Sequence, residues 1–269
     1  MTRKINLKRV SGLIVLIIII IVAISGCDFF YDFLDYIYDD NDPYAPLPLE
    51  EYYEDAEGLD GDELRVFLTT LISTDVNGVS YANAKIALAE ADADPNDPTK
   101  VITIYSRDRV NAEWDSTSWH REHVWPNSRL GVERVGEKEI NQASDLHNLR
   151  AIVPRVNSSR GNKVFSDETG AETYYPGDED KGDVARILFY MVIRYPELSL
   201  VNEVLPNNPE TNYTPEGAKM AVLSCLLEWH QQDPPDDFER NRNEVIYRWQ
   251  HNRNPFIDHP EFVAMIFGN

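Results

Sequence analysis

Disulfide scaffolding is closed to this chain: it has two cysteines in 269 residues, Cys27 and Cys225. A Cys-ligated zinc site is disfavoured on the same ground. Cys225 lies among Val222, Leu223, Leu226 and Leu227 and reads as a small buried hydrophobe. Positive charge is equally scarce in places: from Asp28 to Glu63 there are 14 acids and no Lys or Arg. Long apolar runs are missing too. The only uninterrupted one, Leu13 to Ile24, holds 12 residues, about 18 Å of helix against a hydrocarbon core of roughly 30 Å. No internal repeat is present.

That short run has a targeting character. Arg3, Lys4, Lys8 and Arg9 precede it and Ile24-Ser25-Gly26-Cys27 follows it, the order of a charged region, an apolar region and small residues at a cleavage point. Small residues before a cysteine resemble the lipobox of bacterial lipoproteins, which implies cleavage before Cys27 and its lipidation. The alternative is an uncleaved anchor helix extended through Val10, oriented by its basic flank. Either way the bulk of the chain is expected outside the cytoplasmic membrane. Asp28, next to the cysteine, resembles an inner-membrane retention signal of some Gram-negative bacteria.

Three segments are expected: a signal peptide over 1–26, an acidic and aromatic tether over 27–62, and a catalytic domain over 63–269. The tether alternates aromatics with acids and includes Pro43, Pro46 and Pro48, a self-repelling composition. The net charge of -21 argues against a polyanionic substrate until its distribution is considered. Residues 64–269 hold 32 acids and 21 bases. Within them, Arg150 to Lys163 carries Arg150, Arg155, Arg160 and Lys163 without an acid. Local phosphate neutralisation is therefore open, while long-range steering is weak.

Apolar spacing predicts helices near Glu63 to Ser73, Tyr81 to Glu90, Gly182 to Tyr195, Pro215 to Gln231 and Asp236 to Gln250. A strand is expected over Val101 to Tyr105. The central region is expected to run as a strand (Trp119 to Val124), a polar loop, a second strand (Leu146 to Val153) and a short helix begun by Pro154 and ended near Gly161. The architecture expected is α+β, mainly helical, in one domain.

Chemistry concentrates in that central region. Glu122-His123-Val124-Trp125-Pro126 sets a carboxylate beside an imidazole, and Asp145-Leu146-His147-Asn148-Leu149 and Val156-Asn157-Ser158-Ser159-Arg160-Gly161-Asn162 follow. A neutral imidazole takes a proton from water near neutral pH, and Glu and Asn oxygens suit a hard cation. A zinc hydrolase built on His120 and His123 is a competing reading, because a spacing of three works on a helix; Pro126 and β-branched neighbours disfavour a helix there.

These blocks, with Gly182-Asp183-Val184-Ala185-Arg186, Phe189-Tyr190-Met191 and Asn252-Arg253-Asn254-Pro255-Phe256-Ile257-Asp258, resemble the bacterial endonuclease I family of ββα-metal (His-Me finger) nucleases. The resemblance spans roughly Trp114 to Phe262. It implies His123 as general base, Glu122 and Asn157 as ligands of one Mg²⁺ for which Mn²⁺ or Ca²⁺ could substitute, and products with 5′-phosphate and 3′-hydroxyl ends. DNA is the implied substrate, RNA is left open as a second, and a monomer is expected. Arg160 is the candidate phosphate clamp, with Arg129 and Arg150 as weaker ones, solvated surface arginine being the plain alternative. Asp145, His147 and Asn148 are expected to orient the hairpin and the base. The Asn252 to Asp258 and Gly182 to Met191 blocks are expected to pack, Arg186 pairing with a buried acid. Since neighbours on a regular strand point to opposite faces, Glu122 and His123 demand a bend between them. The runner-up function is a nuclease-fold surface lipoprotein that binds nucleic acid without cutting it.

Overall fold

A computed structural model describes residues 47–268. The signal segment, Cys27 and the tether as far as residue 46 lie outside the described residues.

The domain begins earlier than the acidic composition predicts. Helix α1 (Leu49–Tyr52) and a 3-10 turn at Glu54–Ala56 precede α2 (Gly61–Leu71). Tyr52, Tyr53 and Ala56 are buried in the main core, and the Tyr53 hydroxyl donates to Asp258 Oδ2 at 2.9 Å. Residues 49–56 are thus part of the fold: their aromatics find apolar partners near the C-terminus, and burial of rings outweighs the local charge density.

Helix α2 buries Leu64 and Leu68, and Ile72 caps it. Helix α3 (Tyr81–Ala91) starts at Ser80, whose hydroxyl accepts from the Asn83 amide, and buries Ala84, Ala87, Leu88 and Ala91. An antiparallel sheet of β1 (Ala93–Asp94), β2 (Asp97–Ile102) and β3 (Arg109–Asn111) follows. The expected strand at 101–105 stops at Ile102, because Tyr105 turns away with φ +70°.

Strands β4 (His120–His123) and β5 (Leu149–Ile152) pair antiparallel, His120 opposite Ile152 and His123 opposite Leu149. Helix α4 (Pro154–Arg160) follows directly, with Pro154 in its first turn and Gly161 at its end at φ +55°. Two parallel pairs, β6 (Val164–Phe165) with β7 (Thr173–Tyr174) and β8 (Ser199–Val201) with β9 (Lys219–Ala221), bracket the central helix α5 (Lys181–Arg194). Helices α6 (Leu223–Gln232), α7 (Asp237–Gln250), α8 (Pro255–Asp258) and α9 (Glu261–Phe267) complete the chain. Residues 215–222, expected as the start of a helix, form a 3-10 turn and strand β9 instead. The partner strand β8 makes that choice, which is non-local.

Helix α5 runs through the core with 12 of its 14 residues buried. A Cβ at Gly182 would collide with the Asp233 carbonyl oxygen, so only glycine permits the close approach of α6. The polar residues of α5 are neutralised in place: Arg186 pairs with Glu239 of α7, and Asp183 accepts from Arg150 at 3.0 Å. Asp92, at the end of α3, accepts from the Ala151 amide at 2.6 Å and lies 2.9 Å from both Arg150 Nε and Arg242 Nε. This ion network ties β5 to α3, α5 and α7. The architecture is α+β, and among the described residues no helix is long and apolar enough to cross a membrane.

Candidate active site

A cavity of about 450 Å³ opens where the β4–β5 ribbon ends against α4, and Glu122, His123, Asn157 and Arg160 all line it. The β4–β5 ladder is regular through His123, so the expected bend between Glu122 and His123 is absent. The cavity instead meets both faces of the ribbon at its last pair, where the twist of a two-stranded sheet is large.

On one face, Glu122 is 2% exposed. Its Oε1 accepts from the Tyr105 hydroxyl at 3.0 Å and lies 3.3 Å from Arg160 Nε. Burial raises the carboxyl above its usual range, partly offset by Arg160 and the Tyr105 hydrogen bond. The Tyr105 backbone, at φ +70°, is clamped by Asp180, which accepts from its amide at 2.8 Å; strain of this kind persists only where surroundings impose it.

On the other face, His123 Nε2 is 2.8 Å from the Ala143 carbonyl oxygen. A carbonyl only accepts, so Nε2 carries the proton and Nδ1 keeps its lone pair. Desolvation pushes the imidazole down to about 4, against an upward pull from the Ala143 carbonyl and helped by the positive charges of Arg121, Arg160 and Arg134. The ring is therefore a neutral base at physiological pH. Tyr81 stacks on it at 5.3 Å, and Arg121 lies over Tyr81 at 3.5 Å while pairing with Glu137.

Asn157 reaches the cavity from α4, and Asn127 from the turn after Pro126. Asn127 Oδ1 is buried without a hydrogen-bond partner. A buried carboxylate, an orphaned amide oxygen and a second amide belong to residues of this cavity's wall. That surplus of hard acceptor oxygens fits a hard divalent cation. Among the described residues no group of three or more His, Cys, Asp or Glu could hold a metal, so a site here depends on amide oxygens. His120 and His123 occupy the two ends of strand β4, on opposite faces, which removes the zinc reading based on that pair.

Of the other predicted residues Arg160 stands in the cavity wall, and Arg129, Asp145, His147, Asn148 and Arg150 fall behind it. Arg160 is 1% exposed and donates to the Val124 and Gly161 carbonyls, so it backs Glu122 and is not a free clamp. Arg129 is spent on the Asn162 and Leu205 carbonyls, each at 3.0 Å, and Arg150 on Asp92 and Asp183; neither faces the cavity, because each satisfies buried acceptors. Asn148 holds the Trp125 backbone at both its N–H (2.7 Å) and its carbonyl (3.1 Å). Asp145 accepts from Tyr190, Tyr195 and Gln250, each at 2.9 Å, which fixes the loop bearing Ala143. His147 lies against Tyr190 with Nε2 3.2 Å from the Asn252 carbonyl.

Sequence reading missed Tyr81, Tyr105, Asn127, Arg134 and Tyr213. Asn127 had a signal, standing directly after Pro126 of the motif. The three tyrosines had none, since the fold brings them from distant segments. Arg134 is exposed, lines the cavity and, among the described residues, carries no ion pair.

The profile of the Endonuclease I family matches residues 60–261. The extracellular ribonuclease of Bacillus subtilis (strain 168) is 41% identical over 249 residues, 84% of this chain and 80% of that protein. The extracellular ribonuclease of Bacillus amyloliquefaciens is 40% identical over 240 residues, 81% of this chain and 78% of that protein. An extracellular deoxyribonuclease of Aeromonas hydrophila is 27% identical over 171 residues, 54% of this chain and 64% of its own. A cavity with a neutral imidazole beside hard oxygen donors, inside the matched span, belongs to an endonuclease. This chain belongs to the endonuclease I family.

Proposed function

We propose that this protein is a metal-dependent, sequence-tolerant endonuclease acting outside the cytoplasm on RNA and DNA, with β4, β5 and α4 as a ββα-metal core. The observation that carries the reading is the His123 ring, which donates from Nε2 to Ala143 and keeps Nδ1 basic in the cavity that Glu122 and Asn157 share. The two Bacillus relatives named ribonucleases weigh RNA more heavily than the sequence motifs alone, and the Aeromonas relatives keep DNA in view.

Glu122 and Asn157 would hold one Mg²⁺, with Asn127 in the same cavity wall. The ion when bound supplies positive charge to the phosphate and the departing 3′ oxygen. His123 Nδ1 accepts a proton from water as its oxygen attacks phosphorus, and Ala143 steadies the ring as it becomes charged. Arg160 offsets Glu122 when phosphate charge enters. The P–O3′ bond breaks and the departing 3′ oxygen takes a proton from solvent water, giving 5′-phosphate and 3′-hydroxyl ends.

Localisation rests on the leader and on relatives named extracellular or periplasmic; the lipid anchor at Cys27 is checked by mass spectrometry of the mature N-terminal peptide. The function is tested by incubating the purified protein with plasmid DNA and with RNA. Cutting should require Mg²⁺, stop in EDTA and fall about 10²–10⁴-fold in His123→Ala. Cutting that survives either change contradicts the mechanism, and binding without turnover in the unaltered protein favours the non-cutting lipoprotein.

A further inference from the structure

The cavity is lined by two tyrosines, and they are held differently. Tyr81 is already engaged by the His123 ring and by the Arg121 guanidinium. Tyr213 is 37% exposed, and among the described residues no aromatic ring or cation pairs with it. Yet its backbone is constrained: φ is +61°, in the left-handed region where a bulky residue is rare. The Tyr213 amide donates to the Ser128 carbonyl at 2.7 Å, next to Asn127 in the cavity wall. The loop around it is braced on both sides, by the Asn208 side chain accepting from Glu210 and by the Thr214 amide donating to Thr211. A rigid, open-faced aromatic at the rim, kept in a strained conformation that glycine or asparagine would suit better, is placed for use.

From this we infer that Tyr213 stacks on an unpaired nucleobase next to the scissile phosphate and thereby gives the site a preference for single-stranded nucleic acid. The inference rests on the nuclease reading above and deepens it. Base–aromatic stacking tolerates every base, because each has a π-face. A base inside a duplex already has both faces covered, and extruding it costs energy that a single strand largely avoids. Tyr213 would thus add affinity without reading sequence, in keeping with a sequence-tolerant enzyme. It contacts a base rather than the reacting atoms, so its contribution should appear in KM.

The test compares, in the full chain with Mg²⁺, a single-stranded oligonucleotide of about eight nucleotides with a base-free oligo(deoxyribose phosphate) of equal length. The unaltered protein should show a KM for the base-bearing strand on the order of tenfold lower. That ratio should persist in Tyr213→Phe and collapse toward one in Tyr213→Ala and Tyr213→Gly, through KM and not kcat. Tyr213→Gly matters because it relieves the backbone, so a merely structural role would leave or improve the ratio. A ratio unchanged in the Ala and Gly variants overturns the inference, whether or not both substrates are hydrolysed more slowly. Failure of the unaltered protein to hydrolyse either strand removes the nuclease reading itself.

Discussion

At the level of single residues, the arginines divide by what already surrounds them. Arg129, Arg150 and Arg160 are each tied to carbonyls or carboxylates of the fold, and none can swing to a phosphate without leaving a buried acceptor bare. Arg134 has no such obligation and stands at the cavity. In Arg134→Gln, KM for nucleic acid should rise and the slope of log KM against log salt should fall by about one, the signature of a lost phosphate contact. Kinetics from low to moderate salt measure this, and an unaltered slope excludes Arg134 from the phosphate. The candidate motif residues were legible because the chemistry proposed for them demands particular atoms at short spacing. Which arginine is free was not, since that depends on partners 33 to 76 residues away in sequence, such as Asp183 for Arg150, Val124 for Arg160 and Leu205 for Arg129.

Among the elements, the β4–β5 ribbon and α4 carry the site, and the Asp92 network carries the ribbon. Asp92 is fully buried and satisfies one amide and two guanidiniums. Removing one side of such a cluster strands the other. Asp92→Ala should therefore destabilise by about 3–5 kcal/mol, read as a lower urea midpoint at unchanged slope; a loss under about 1 kcal/mol would show that solvent replaces the carboxylate. Helix α7 illustrates what periodicity captures: Val245 and Ile246 face the core, and its boundaries fall within a residue of those expected. Strand β9 illustrates what it misses. Lys219, Met220 and Ala221 all suit a helix turn, and pairing with β8 in register Leu200 to Met220 decides otherwise.

For the molecule as a whole, buried histidine couples folding to pH. Desolvation pushes His147 down to about 4, with Asp145 pulling the other way. Its unfolded value is about 6.5, so in acid the unfolded chain binds the proton first. The stability from keeping His147 neutral is complete above about pH 6.5 and is lost as pH falls toward 4. Between pH 7.5 and 5 the loss should be about 2 kcal/mol from this group. His123 is shifted the same way, so the assignment needs the difference between the parent and His147→Gln in urea midpoints across that range. Equal pH slopes in the two proteins would refute it.

Amino-acid order alone determined the lack of disulfides and the helices with strong apolar periodicity, and it singled out Glu122, His123 and Asn157 as candidates, because each rests on local composition or on atoms that the proposed chemistry requires. Tertiary structure decided where the domain starts, since distant partners such as Tyr247, Asp258 and Phe262 make the Tyr52–Tyr53 segment worth burying. It also decided which nitrogen of His123 is basic, through Ala143 on the far side of a loop. And it brought Tyr81, Arg134 and Tyr213 to one cavity, for which no spacing along the chain gives a sign.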